Sequence, residues 1–299
     1  MKIVLFTGGT GLLGRYFLAN IPRDFFVYAT YSKNKPDIVD GCNHKFVKLD
    51  VANKKNIKNI YEAIRPDIVV HAASIGNVDY CEKNKSEAKK INITGTKYML
   101  QYAQEHNIKF IFTSSNAVYD GVHPLFSEKS PKHPIDYYGF TKVQSEKEII
   151  KRSKNFVIVR LMTMYGWNNS NERMNPVTWL LERLSAKHTT QVVDDIYNNY
   201  LYAGDAVKAI WKIIRENKRQ EIYNIASSEC ISRYKLAVQA AKVFNLDTSL
   251  LQPVSSDYFK SLAPRPKNTC FDINKMKKDL QIRPVTVLKG LRQMKNEKR

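Results

Sequence analysis

The stretch "KIVLFTGGTGLLGRYFLANI", residues 2–21, decides the fold. An apolar run of strand length leads into a turn punctuated by glycine, after which Leu12, Leu13, Tyr16 and Phe17 recur at helical spacing. Strand, turn and helix in that order predict the opening of a βαβ unit. Working outward, four more strand-like runs follow: "FFVYATY" (25–31), "HKFVKLDV" (44–51), "DIVVHAAS" (67–74) and "KFIFTSS" (109–115). Stretches of helical period, "KNIKNIYEAI" (55–64) and "SEAKKINITGTKYMLQYAQEH" (86–106), lie between them. Strands too apolar to have a wet face, alternating with helices, predict a parallel, doubly wound α/β sheet.

A sixth run, "FVIVRL" (156–161), follows a helix that carries Tyr138. After about residue 166 the pattern loosens into polar loops and helices, although "EIYNIAS" (221–227) reads as one more sheet strand. With no repeat and no linker-like run, the second region is expected to be interwoven with the first. At 299 residues, 43% hydrophobic and 11% aromatic, the chain is long and apolar enough for a substantial core. The apolar stretch in "MKIVLFTGG" is too short for a secretory signal and no later run approaches membrane-spanning length, so the expected location is cytoplasmic, without a membrane partner.

The formal net charge of +20 is spread along the chain in lysines, without any recognisable nucleic-acid module. No specific nucleic-acid partner is expected; the charge reads as a solvated basic surface or as steering for an anionic ligand. Cys42, Cys81, Cys230 and Cys270 are scattered, with no C-x-x-C and no clustered histidine. They read as reduced packing thiols, with neither a disulfide framework nor a metal site expected.

Gly8, Gly11 and Gly14 are spaced G-x-x-G-x-x-G between the first strand and its helix. Glycine allows a sharp turn and lets a pyrophosphate approach amides at a helix N-terminus, where the dipole favours negative charge. Dinucleotide binding follows, with Gly8, Thr10, Gly11, Leu12, Leu13 and Gly14 at the phosphates. At the end of the second strand an acidic residue would grip the ribose 2'-hydroxyl of NAD and repel a 2'-phosphate. Here stand Tyr31, Ser32 and Lys33 of "TYSKNK", a hydroxyl and a cation without a carboxylate, which favours NADP over NAD. Asp50 and Val51 are placed to meet the adenine, while Ala72, Ala73 and Ser74 let the cofactor pass close to the fourth strand.

"TGGTGLLG", "LDV", "HAAS", "TSSNAVYDG" and "YYGFTK", in this order and spacing, resemble the extended short-chain dehydrogenase/reductases. "RLMTMYG" and "RPKNTCFDINKMKKDL" narrow the resemblance to the dTDP-4-dehydrorhamnose reductase-like branch, over nearly the whole chain. The resemblance implies a Rossmann-type domain at 1–165 with about 192–226, and a smaller, interwoven C-terminal substrate domain at about 166–191 with 227–299. It also implies that Tyr138 is the catalytic acid, Lys142 its electrostatic partner and Ser115 the hydroxyl that holds the substrate carbonyl. A tyrosine of ordinary pKa near 10 would have to fall by roughly 3 units, about 4 kcal/mol, to exchange its proton well near neutrality, and Lys142 one helical turn away, aided by a positively charged oxidised nicotinamide, is the expected cause.

The implied activity is NADPH-dependent reduction of a nucleotide-linked 4-keto-6-deoxy sugar. The expected partner is a nucleotide-diphospho-sugar, with a homodimer left open. Ser115, Asn116 and Arg265 of "PRPKN" are the candidate substrate contacts, Arg265 because its forked donors match phosphate oxygens. Trp167 either lines the sugar pocket or packs. Two other readings use the same motifs: an epimerase with retained NAD, and a non-catalytic NADP-binding regulatory subunit, since the beta subunit of methionine adenosyltransferase resembles this branch.

Overall fold

The computed structural model describes residues 1–33, 41–169, 172–260 and 262–297. Seven strands form one sheet: β1 (Lys2–Thr7), β2 (Phe25–Tyr31), β3 (His44–Lys48), β4 (Ile68–His71), β5 (Lys109–Ser115), β6 (Phe156–Leu161) and β7 (Glu221–Ile225). Their order is β7-β6-β5-β4-β1-β2-β3, and every pairing is parallel. All residues of β4, β5 and β6 are buried, as an interior parallel strand requires, whereas the edge strand β3 is only partly covered. The chain runs outward from β1 in both directions, leaving a crevice between the carboxyl ends of β1 and β4 where ligands of such sheets bind.

Helices α1 (Leu12–Ala19), α2 (Lys54–Ile64), α3 (Val78–Lys83), α4 (Lys85–Ala88), α5 (Thr96–Glu105) and α6 (Tyr137–Arg152) follow the strands. Ile57 and Tyr61 of α2, Met99 and Leu100 of α5 and Ile149 of α6 fill one apolar layer against the sheet. Tyr16 and Phe17 of α1 fill the other, together with Ile210 and Trp211 of a later helix, α8 (Ala203–Arg215). The helix expected across 86–106 is interrupted by a π turn, Lys89–Gly95, that joins α4 to α5. That wider turn carries Asn92, and such turns recur where a side chain must be re-aimed.

The remainder is woven through the first region. Helices α7 (Pro176–Ser185), α9 (Arg233–Val243) and α11 (Val287–Asn296) pack together, α10 (Asn274–Asp279) lies against β7, and short strand pairs connect distant segments. One of these pairs Ile231 with Asn198 and Ser232 with Tyr197, antiparallel. The reading of four reduced cysteines needs correction: Cys42 and Cys81 are free, but Cys230 and Cys270 form a disulfide. Forty residues apart in sequence, their Cα atoms are 5.7 Å apart because both flank the strand at Tyr197–Asn198, a proximity that spacing alone does not encode. Among the described residues, no helix is long and apolar enough to cross a membrane.

Candidate active site

The floor of the crevice is backbone. Gly8 sits at φ +77°, a conformation that favours glycine, and a Cβ there would lie 3.1 Å from Ala73 Cα. Gly14 packs so closely on the turn that a Cβ would lie 2.5 Å from Gly9 O. Gly11 differs: its φ is −92° and a Cβ would meet only Gly8 O at 3.6 Å, so the protein's own packing does not demand glycine there. No side chain caps the N-terminus of α1, as is also the case for α4, α5, α8 and α10. Amides without a side-chain cap, beside open room at Gly11, fit a pyrophosphate.

A side-chain network that sequence reasoning missed fixes this floor. Thr7 Oγ1 accepts the N–H groups of Ala72 (3.1 Å) and Ala73 (3.0 Å), so its own hydrogen goes to His71 Nδ1 at 2.8 Å. The His71 proton therefore sits on Nε2 and is donated to Thr96 Oγ1 (3.1 Å), whose hydroxyl donates to Asn92 O (2.6 Å). Burial holds His71 neutral, with its pKa lowered to about 3, and the charge of Lys142 acts in the same direction. Asn92 in turn clasps Ile75 through both N–H (2.8 Å) and C=O (3.1 Å) and donates to Thr141 Oγ1 at 3.1 Å, tying the loop after β4 to α6. The histidine was visible in "DIVVHAAS", but its two threonine partners come from other elements.

The structure brings Ser115, Tyr138 and Lys142 together. Asp136 caps α6 by accepting Gly139 N–H at 2.7 Å, and Gly139 lets the helix start against the turn after β5: a Cβ would stand 2.0 Å from Ala117 O. That approach sets the half-buried Tyr138 beside Ser115, whose hydroxyl favours the ionised phenol. Lys142 lies buried one turn on, donating to Thr113 O at 2.9 Å, with Nζ 5.6 Å from the Tyr138 ring centre. Burial lowers Lys142 to about 8, opposed in part by the Glu146 carboxylate. Glu146 is itself held by Arg160 (2.7 and 2.9 Å), Lys132 (3.1 Å) and Ser114 Oγ (2.6 Å), a buried network that anchors the triad from beneath.

Lys142 alone does not produce the expected lowering of the tyrosine. Burial pushes Tyr138 up to about 12, only partly opposed by Ser115, because in the protein alone desolvation outweighs every nearby cation. A neutral phenol is an acid ready to donate.

The other predicted residues fall as follows. Ser32 and Lys33 are exposed just beyond the half-buried Tyr31, at the carboxyl end of β2, while residues 34 and 35 of that stretch lie outside the described residues. Asp50 is exposed and closes a turn by accepting Ala52 N–H at 2.9 Å, whereas Val51 is buried in the core. Ser74 is half-buried in the crevice loop. Asn116 accepts the Ser115 hydroxyl at 3.2 Å and donates to Thr269 Oγ1 at 2.7 Å. Arg265 pairs with Asp79 of α3 at 2.7 Å. Trp167 is taken up by packing: its indole N–H donates to Met294 O at 2.7 Å and its ring meets Phe244 edge-on. Arg173, which sequence reasoning missed, bonds Gly76 O at 3.3 Å, and its charge reaches both Tyr138 and Asp79.

Comparison with known proteins agrees with this geometry. The pattern of the family described as RmlD substrate binding domain matches residues 1–299. A dTDP-4-dehydrorhamnose reductase of Aggregatibacter actinomycetemcomitans is 26% identical over 95% of this chain and 95% of its own. The methionine adenosyltransferase 2 subunit beta of Xenopus laevis is 25% identical, over 92% of this chain and 81% of its own. Among solved structures, the dTDP-4-dehydrorhamnose reductase of Bacillus anthracis in complex with NADP superimposes with a TM-score of 0.87 at 23% identity, covering 100% of both chains.

Proposed function

The chain belongs to the RmlD substrate binding domain family, and on that premise we propose that it reduces a nucleotide-linked 4-keto-6-deoxy sugar with NADPH. The observation that carries the reading is the convergence of Ser115, Tyr138 and Lys142 beside a helix N-terminus without a side-chain cap. Cofactor affinity belongs to residues 1–165 with about 192–226, and substrate affinity to about 166–191 with 227–299. The turn from Gly8 to Gly14, with the amides of Leu12 and Leu13, would hold the pyrophosphate. Ser32 and Lys33 would meet the 2'-phosphate, Asp50 and Val51 the adenine, and Tyr138 with Lys142 the nicotinamide ribose. NADP is the cofactor named with the solved relative, and a retained-NAD epimerase would call for a carboxylate where Ser32 and Lys33 stand.

NADPH, when bound, supplies the hydride for the sugar's carbonyl carbon. Ser115 turns its hydroxyl hydrogen from Asn116 Oδ1 to the carbonyl oxygen and polarises it. Tyr138, neutral at physiological pH, delivers its proton to that oxygen, and the Lys142 cation stabilises the phenolate left behind until solvent returns a proton. Arg265 exchanges Asp79 for the substrate's pyrophosphate.

Calorimetric titration with NADPH and NADH, followed by thermal shifts with dTDP, UDP, GDP and CDP, tests the assignment. A ligand that binds the native state alone raises stability as its concentration passes Kd. Tighter NADPH binding and a shift with dTDP are expected; a preference for NADH, or no response to any nucleotide, would contradict it.

A further inference from the structure

We infer that the Cys230–Cys270 disulfide is a redox-sensitive staple, opened by a dithiol and closed by a disulfide oxidant, that fixes the hydrogen bonds holding Ser115 on the substrate side. Its kinetic consequences rest on the reductase reading above; its structural consequences do not.

Tyr197, Asn198 and Asn199 run between two outer segments. On one side Ile231 and Ser232 pair with them as a strand. On the other, Tyr197 N–H donates to Lys267 O at 2.7 Å, Thr269 N–H to Tyr197 O at 3.2 Å and Phe271 N–H to Asn199 Oδ1 at 2.6 Å. Cys230 immediately precedes the first outer segment and Cys270 lies within the second, so the disulfide closes a bracket around the middle one. Without it, the segment around residues 267–271 is held by its hydrogen bonds, the Lys267–Asp195 ion pair and the packing of Phe271, and regains part of its freedom.

That bracket reaches the triad in three steps. Thr269, next to Cys270, donates to Asn198 Oδ1 at 2.7 Å. Asn116 Nδ2 donates to Thr269 Oγ1 at 2.7 Å and to Asn198 Oδ1 at 3.3 Å. Asn116 Oδ1 accepts the Ser115 hydroxyl at 3.2 Å. Thr269 and Asn198 are both buried, so their positions are transmitted rather than absorbed by solvent. The glycine turn and the Ala72–Ala73 floor use none of these bonds.

The pair is asymmetric in a way that suits exchange. Cys230 is exposed while Cys270 is fully buried. A dithiol's thiolate attacks the Cys230 sulfur, the S–S bond breaks, and Cys270 leaves as a thiolate that takes a proton. The second thiol of the reagent then displaces Cys230, also as a thiol. The protein gains two electrons and two protons, and the dithiol becomes a cyclic disulfide. Positioning falls to Asn198 and Thr269, which act on the substrate through Asn116 and Ser115.

The test compares the wild-type protein oxidised, reduced with dithiothreitol, and as Cys230→Ser. Thiol titration should show two groups appearing on reduction. The KM for a dTDP-4-keto-6-deoxy sugar should rise roughly tenfold, the scale of a small misplacement at a reacting group, while NADPH affinity stays within about twofold. Cys230→Ser should behave as the reduced protein and ignore dithiothreitol. Hydrogen exchange gives a readout that needs no turnover: residues 195–200 and 266–272 should exchange faster on reduction, and residues 6–15 should not. If no keto-sugar is turned over, the reductase reading fails and the exchange result alone decides the staple. Two new thiols with unchanged KM and unchanged exchange would overturn the proposal, as would a protein in which an added disulfide oxidant never closes the bond.

Discussion

In the proposed function, the cofactor side and the substrate side of the cleft are built by different means. On the cofactor side the surface offered is backbone, permitted by glycines within seven residues, from Gly8 to Gly14, and the Thr7–His71–Thr96 bonds lie beneath it. On the substrate side, Asn116, Asn198 and Thr269 come from three distant segments and meet through side-chain hydrogen bonds. Where geometry is local it is set by steric exclusion, which few substitutions can mimic. Where it is assembled from a distance it depends on a chain of bonds, and a staple can control it.

The largest effect that would test this division is Tyr138→Phe, which deletes the proton donor and keeps the ring. Turnover should fall about 100-fold or more with NADPH affinity retained; equal losses in both would merge the two sides. Lys142→Met, next in size, should lower turnover and also weaken NADPH, because the proposed function has Lys142 serve both. Its pH signature follows from a pKa lowered to about 8. As pH rises through that value Lys142 loses its charge and phenolate support, so wild-type turnover should decline on the alkaline side, and a rate profile of Lys142→Met should lack that limb.

Two glycines sharpen the cofactor side. Gly14→Ala places a Cβ 2.5 Å from Gly9 O and should cost stability by about 1–3 kcal/mol, as overpacking does, read as a lower Tm. Gly11→Ala meets only Gly8 O at 3.6 Å, so its Tm should stay near wild type while NADPH affinity drops. If Gly11→Ala binds NADPH normally, the room at Gly11 is not the phosphate's. On the substrate side, Arg265→Ala should raise the sugar KM several-fold more than the NADPH KM, and equal changes would remove Arg265 from the site.

One effect, read in stability alone, concerns His71. Its folded pKa of about 3 lies below the usual 6.5, so below about pH 6.5 the unfolded chain binds a proton that the native state refuses. Stability should therefore fall as pH drops from 6.5 towards 3, by up to about 1.4 kcal/mol per pH unit. His71→Asn should flatten that dependence in denaturant titrations.

What the sequence made legible follows the same line. The strand–turn–helix of residues 2–21, the order of apolar strands and the four-residue spacing of Tyr138 and Lys142 are local signals. Each was readable because 2-fold or 3.6-fold periodicity fixes it. The disulfide, the Thr7–His71–Thr96 network, the π turn at Asn92 and the packing role of Trp167 depend on partners 17 to 127 residues away. No period records such pairings. Tyr138 shows the limit from another side: the cation one turn away was visible in sequence, but the desolvation that overrides it belongs to the folded crevice.

The central claim is tested most directly by mixing the wild-type protein, preloaded with NADPH, with a dTDP-4-keto-6-deoxy sugar and following the nicotinamide absorbance through a single turnover. Oxidation of one NADPH per site, with a 6-deoxy sugar as product, is the predicted result. Tight NADPH and dTDP binding with no oxidation of NADPH by any 4-keto-sugar would contradict it, and would move the chain to the non-catalytic reading.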